Sequence, residues 1–140
     1  MNVEVRTARA DDFDPVFQLA VAFATSGQPT REGFEASFSR VLASDDALLL
    51  VAVEQQELLG YLLGFVHPTF YADAPVTWVE EIMVRDRRRR TGAGSALMRA
   101  FEVWSREHGA KFVALATRRA AAFYNALDYA ESATYFRKGI

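Results

Sequence analysis

Apolar residues follow two different spacings along this chain, and the changes of spacing mark a series of strands and helices. Alternating or unbroken apolar segments predict β-strands, whereas apolar residues three or four apart predict amphipathic helices. Strands are predicted over residues 2–8, 47–53, 58–66, 76–85, 111–116 and 129–138, and helices over residues 95–107 and 120–127. Two more helices are predicted between the first two strands, with Asp11 and Thr30 as their N-caps. This order predicts one mixed α/β domain.

Connections between these segments predict how the strands pair. The polar residues Glu54, Gln55, Gln56 and Glu57 separate two apolar runs, which predicts an antiparallel hairpin. The strand, helix and strand around Gly92 predict a parallel pair, because a crossover connection returns the chain in the same direction.

Composition narrows the class of protein. The chain has 140 residues, is 51% hydrophobic and contains no cysteine, so we expect one domain without disulfides, thiolate metal sites or cysteine nucleophiles. Nothing in the first residues is typical of a signal peptide, and no apolar run approaches the length of a membrane span. We therefore expect a soluble, cytoplasmic protein with no membrane partner.

Positive charge is concentrated in one short segment. Arg87, Arg88, Arg89 and Arg90 are consecutive in a chain whose net charge is −2 and whose pI is about 5.7. A nucleic-acid-binding domain would usually be basic as a whole, so the expected ligand is a compact polyphosphate, with no nucleic-acid partner. Nucleic-acid binding through the arginine run is kept as a lesser hypothesis.

The glycines that follow the arginines predict an anion site. Gly92 and Gly94 lie between an apolar strand and an amphipathic helix, where free backbone N–H groups and the helix dipole attract phosphate. No lysine follows either glycine as in a P-loop, and Leu97 occupies the place of the third glycine of a dinucleotide fingerprint. Both of those nucleotide-binding motifs are therefore excluded.

Three segments, in this order and spacing, resemble the GNAT superfamily of acetyl-CoA-dependent N-acetyltransferases. They are the apolar strand at residues 79–84, the arginine and glycine loop at residues 89–94, and the aromatic segment at residues 122–129. The resemblance covers residues 79–136, whereas the region before residue 76 agrees only in the order of its elements. It implies a central, mostly antiparallel twisted sheet with one parallel strand pair at the cofactor site, flanked by about four helices.

The resemblance also implies how acetyl-CoA binds as co-substrate, without a metal. Loop N–H groups would hold the pyrophosphate, and the strand backbone would pair with the pantetheine arm. The implied contacts are Ile82, Met83, Val84, Arg89, Arg90, Thr91, Gly92, Ala93, Gly94, Ser95 and Thr117. The chain departs from the family pattern at Thr117, where asparagine is common, and at Asp128, where glycine is usual. Asp128 can adopt the left-handed backbone at a cost of about 1 kcal/mol relative to glycine.

Three residues are implied for catalysis. Tyr124 would protonate the CoA sulfur, and Glu80 or Glu81 would accept the amine proton. Since adjacent strand residues face opposite sides, the two glutamates should have different roles. Similarity to polyamine acetyltransferases of the superfamily assigns Glu80 as the base and Glu81 as a substrate contact, and a β-bulge in this strand would exchange those roles.

The function implied is direct transfer of an acetyl group from acetyl-CoA to a primary amine on a small molecule or peptide. The acceptor would lie in a cleft formed by the two N-terminal helices, the loop at residues 68–75 and the last strands. Phe70, Tyr71 and Asp73 in that loop would suit a polyamine-like or aminoglycoside-like cation. The alternative is a non-catalytic CoA-binding sensor. Pairing through the edge of the final strand would make a homodimer possible.

Overall fold

The chain forms a five-stranded sheet with helices on both faces. The computed structural model describes residues 2–22, 24, 27–85 and 92–140, so Arg89, Arg90 and Thr91 lie outside the described residues. The elements are β1 (Glu4–Thr7), α1 (Phe13–Ala22), α2 (Arg31–Ala43), β2 (Ala47–Glu54), β3 (Glu57–His67), β4 (Val76–Val84), α3 (Ala93–Glu107), β5 (Val113–Leu115) and α4 (Ala121–Ala126). The mixed fold class is confirmed.

The strands lie in the order β1-β2-β3-β4-β5. The first three pairs are antiparallel, and β4 and β5 are parallel, as the crossover around Gly92 predicted. The β2–β3 hairpin turns at Gln55 and Gln56, whose φ angles are 50° and 69°. Two consecutive positive φ angles match the twist of a tight hairpin, so the predicted hairpin is confirmed.

Each face of the sheet carries its own apolar core. The α3-side cluster includes Leu62, Val79, Leu97, Phe101 and Tyr124, together with the partly buried Ile82. The α1/α2-side cluster includes Val16, Leu19, Phe38, Val51 and Tyr61, with Leu63 and Met83 packed against it. Because both faces are covered, β2 and β3 are buried along most of their length.

The two predicted N-caps have different outcomes. Thr30 caps α2 as predicted, since its Oγ1 accepts the Gly33 N–H at 3.0 Å. Asp11 was the wrong choice for the first helix: it is exposed and lies in a 3₁₀ turn, Ala10–Asp12. Asp12 instead accepts the Arg9 N–H at 2.7 Å and pairs with both guanidinium nitrogens of Arg6, at 2.8 and 3.0 Å. The Asp12 carboxylate therefore closes the turn before α1 and links it to β1.

The predicted strand at residues 129–138 is wrong. Residues 130–140 have no strand hydrogen bonding and are exposed, although the Tyr135 ring centroid lies 6.4 Å from that of Trp78. A strand needs a hydrogen-bonded neighbour, and the outer edge of the short β5 pairs with none in the described part of the chain. No helix in the described part of the chain is both long enough and apolar enough to cross a membrane.

Candidate active site

β4 and β5 pair only over a short stretch, and the β5-facing edge of residues 80–84 beyond that stretch is called the opening. Their parallel pairing runs from Thr77 with Val113 to Val79 with Leu115. β5 ends there, while β4 continues to Val84. The β5-facing edge of β4 therefore has no strand partner beyond Val79 in the described residues, and its backbone groups remain available for an extended ligand.

Residues 82–84 form the wall of this opening. On their other edge they pair with β3, with Ile82 opposite Leu62, Met83 opposite Tyr61 and Val84 opposite Gly60. A Cβ atom on Gly60 would lie 2.5 Å from the Met83 carbonyl oxygen, so only glycine allows β3 to approach this closely. The pairing with β3 thus holds the backbone at the opening rigidly.

α3 begins beside the end of β4. Gly92 is its N-cap, with a left-handed φ of 89°, and the Ala96 N–H donates to the Gly92 carbonyl oxygen at 2.9 Å. The helix starts at Ala93, two positions before the predicted start at Ser95. The N–H groups of Ala93, Gly94 and Ser95 belong to the first helical turn, where no earlier carbonyl is available to them. They form a donor set suited to a phosphate oxygen.

Gly94 connects this helix start with β4 and α4. A Cβ atom at this position would lie 3.3 Å from Cζ of Phe123 and 3.9 Å from Cγ2 of Val84. Parts of the three segments that carry the family resemblance, in β4, at the start of α3 and in α4, therefore meet around Gly94.

Tyr124 lies in α4 within the α3-side cluster and is 8% exposed. Its ring makes edge contacts with Phe123 and Tyr129, with centroid separations of 5.0 and 6.0 Å. Burial raises the pKa of the Tyr124 phenol above its usual value.

Two residues between β5 and the C-terminal segment depart from the GNAT pattern. Thr117 is exposed, and its Oγ1 accepts the Ala120 N–H at 3.1 Å, so this hydroxyl stabilises the turn before α4. Asp128 has a φ of 70°, which confirms the left-handed conformation predicted for it.

A β-bulge determines the orientation of the two glutamates. Leu63 pairs with Glu81 but the next β3 residue, Gly64, pairs with Val79, so Glu80 is an extra residue on β4. Val79 and Ile82 both pack in the α3-side cluster, which regular alternation would not allow for residues three apart. The bulge that would exchange the roles of Glu80 and Glu81 is therefore present in β4. Glu80 is exposed and Glu81 is half-buried.

Glu81 has one close partner, which sequence reasoning missed. The Tyr61 hydroxyl donates to Oε1 of Glu81 at 2.6 Å, and Tyr61 is 2% exposed. Burial, followed by the negative charge of Glu81, raises the pKa of the Tyr61 phenol far above its usual value. Tyr61 lies in a long apolar run and resembles a core residue, but a buried tyrosine needs a partner for its hydroxyl. That requirement was the available signal.

The three residues predicted to suit a cationic acceptor, Phe70, Tyr71 and Asp73, lie in the exposed loop after β3. Phe70 and Tyr71 are exposed, and the Tyr71 ring centroid lies 6.3 Å from that of Phe112. Asp73 has a φ of 56°.

Among the described residues, no group of three or more histidine, cysteine or carboxylate side chains could hold a metal ion.

The sheet, the opening between two parallel strands and the adjoining helix start together define an acyltransferase-like site. The model of the "Acetyltransferase (GNAT) family" matches residues 13–129. The chain therefore belongs to the GNAT acetyltransferase family. None of the curated sequences compared with it matches significantly.

Several solved structures share the fold along almost their whole length. A transcriptional regulator from Bacillus halodurans C-125 has 20% identity and a TM-score of 0.90, with 99% of this chain and 100% of that chain covered. Glucosamine-6-phosphate N-acetyltransferase from Arabidopsis thaliana has 16% identity and a TM-score of 0.85, with 99% of each chain covered. An aminoglycoside acetyltransferase from an uncultured soil metagenomic sample, in complex with sisomicin, has 16% identity and a TM-score of 0.77, with 99% and 96% covered. At identities this low, the similarity shows only that the fold is shared.

Proposed function

We propose that this protein transfers the acetyl group of acetyl-CoA directly to a primary amine. The observation that carries the proposal is the opening between β4 and β5 beside the start of α3. It combines a strand edge that has no strand partner among the described residues with the first N–H groups of α3, which suits a ligand with an amide-containing arm and a diphosphate.

Acetyl-CoA supplies the activated thioester, and the chain supplies its binding groups. Ala93, Gly94 and Ser95 would hold the pyrophosphate through their N–H groups. The backbone of residues 82–84 would pair with the pantetheine amides and polarise the thioester carbonyl. Arg89, Arg90 and Thr91 remain predicted cofactor contacts, as does Thr117, whose hydroxyl can still donate a hydrogen bond while accepting one from Ala120.

The proposed chemistry needs one base and one acid. The amine nitrogen forms a bond to the acetyl carbon as the carbon–sulfur bond breaks. Glu81 takes the amine proton, directly or through water, and Tyr124 gives a proton to the departing sulfur. We assign the base to Glu81 because the bulge at Glu80 turns Glu81 toward the Tyr61 side of the sheet. Glu80, which is exposed, becomes the contact for the cationic acceptor.

The acceptor is proposed to be a cationic amine on a small molecule or a peptide. Glu80 and Glu81 provide negative charge on β4, and the exposed rings of Phe70 and Tyr71 provide surfaces that attract cations. These groups favour a polyamine-like or aminoglycoside-like body over an acidic one.

Two measurements test the proposal together. Calorimetry should detect binding of acetyl-CoA and CoA, and release of CoA thiol should accelerate when polyamines or aminoglycosides are added. Binding without release for any amine in the panel would favour the alternative function, a CoA-binding sensor. The deep burial of Tyr124 is the observation that keeps this alternative open. Absence of binding to either CoA form would contradict both functions.

The second proposed partner is another copy of this chain. β5 is the edge strand of the sheet, and the aromatic side chains of Tyr135 and Phe136 are exposed. Within the described residues, neither the outer edge of β5 nor the C-terminal segment has a strand partner, which favours pairing between two copies.

A further inference from the structure

The hydrogen bond between Tyr61 and Glu81 has a clear structural origin. Tyr61 lies opposite Met83 on β3, and Glu81 lies opposite Leu63, so the two side chains are diagonal neighbours on one face of the sheet. Val79 faces α3. If alternation continued regularly from Val79, position 81 would also face α3, away from Tyr61. The bulge therefore creates this contact.

The bond constrains only one carboxylate oxygen. Tyr61 donates to Oε1 at 2.6 Å, and no described residue donates to Oε2 at hydrogen-bonding distance. A short bond from a neutral phenol to a carboxylate is among the stronger hydrogen bonds in proteins. It fixes the rotamer of Glu81 and leaves Oε2 available to an incoming proton.

Tyr61 is itself held firmly. It is packed in the α1/α2-side cluster and is 2% exposed, and the neighbouring residue Gly60 is held against the backbone of Val84. A rigid donor is what a base needs if its free oxygen is to meet the substrate at a fixed place.

We propose that Tyr61 is a positioning residue for the acetyl transfer, holding Glu81 through Oε1 so that Oε2 faces the acceptor amine. This inference rests on the proposed function. Tyr61 does not contact the acceptor and transfers no proton; it acts only through Glu81.

The experiment is a double-mutant cycle with Tyr61→Phe and Glu81→Gln, using the best amine found for the wild type. Tyr61→Phe removes one oxygen from the core and keeps the ring. We expect kcat to fall about tenfold while KM for acetyl-CoA stays within about twofold. In the Glu81→Gln background the same change should alter kcat less than about twofold, because its effect passes through the carboxylate.

Tyr129→Phe is the matched control. The Tyr129 hydroxyl donates to Oε2 of Glu102 at 2.7 Å, so this variant loses the same kind of bond elsewhere in the fold. Thermal unfolding of both variants should be similar, and kcat should be unchanged for Tyr129→Phe.

The outcomes separate the inference from the function on which it rests. An active wild type with an unchanged kcat in Tyr61→Phe would overturn the inference alone. An equal loss in the wild-type and Glu81→Gln backgrounds would do so too, because Tyr61 would then act by another route. A wild type inactive toward every amine would overturn the proposed function together with the inference.

Discussion

Gly64 lies directly against the ring of Phe101, and a Cβ atom at position 64 would overlap ring atoms Cε1 and Cζ. Gly64 is the residue of β3 at the bulge, opposite Val79, and Phe101 is a fully buried residue of α3. The missing side chain therefore lets α3 pack closely over the sheet where β4 bulges.

Gly64→Ala should destabilise the fold by about 2 kcal/mol, because a methyl group would be forced into a filled core. Urea unfolding measures the effect. Gly139→Ala is the control, since nothing lies within 4 Å of a Cβ at that position. Equal stability of the two variants would contradict the close packing of α3 on β3.

Gly94→Ala should weaken CoA binding about tenfold with little change in stability. A Cβ here would be 3.3 Å from the ring of Phe123, so α4 or the start of α3 must shift, while alanine itself favours the helix. Calorimetric titration with CoA measures the affinity.

Gly33→Ala is a matched control for that titration. Gly33 also lies in a first helical turn, that of α2, and its Cβ would be 3.1 Å from Thr30 Oγ1. It should leave CoA affinity unchanged. Normal affinity in Gly94→Ala would place the cofactor away from this helix start.

Tyr124→Phe should lower kcat about 100-fold and leave the Kd of CoA unchanged, because it removes a proton donor and keeps the packed ring. Tyr129→Phe, whose ring contacts Tyr124, is the control and should retain full turnover. If Tyr124→Phe is as active as the wild type, another group protonates the sulfur.

Local features of the fold could be predicted from the sequence because their causes are local. Thr30 caps α2 through its own hydroxyl, and Asp128 adopts the left-handed backbone. The apolar runs of β2 and β3 also required no knowledge of their neighbours. In each case the signal lay within a few residues of the feature.

Features that depend on distant partners could not be predicted in this way. The bulge at Glu80 depends on the register with Leu63 and Gly64, so alternation along β4 alone could not decide which glutamate faces Tyr61. Tyr61 became visible as a site residue only through its contact with Glu81. The segment at residues 129–138 has the composition of a strand but lacks a pairing neighbour in the described chain.

Asp12→Asn should destabilise the fold by about 2 kcal/mol, because Asp12 is 7% exposed and makes a two-point bond to Arg6. Hydrogen bonding to Arg6 holds the pKa of Asp12 below its ordinary value. The ion pair therefore stabilises fully above the unfolded pKa of about 4 and loses its effect as pH falls through the folded pKa.

Unfolding free energies measured from neutral to acidic pH check this prediction. The difference between the wild type and Asp12→Asn should shrink at the acidic end. Asp14→Asn is the control, since the Arg31–Asp14 pair has side-chain exposures of 61% and 65% and should contribute less than about 0.5 kcal/mol. A constant difference across the pH range would show that the charge of Asp12 is not the cause.

Residues 131–140 should mediate self-association if they complete the open edge of β5 in a second copy. Phe136 is 86% exposed, and burying this ring while pairing the backbone would favour a dimer. Sedimentation at rising concentration should reveal the dimer, with protection of the segment's amides from hydrogen exchange. A chain ending at Ala130 should remain monomeric and keep its melting temperature at low concentration, because the removed side chains are exposed. Association that persists after this truncation would locate the interface on another surface.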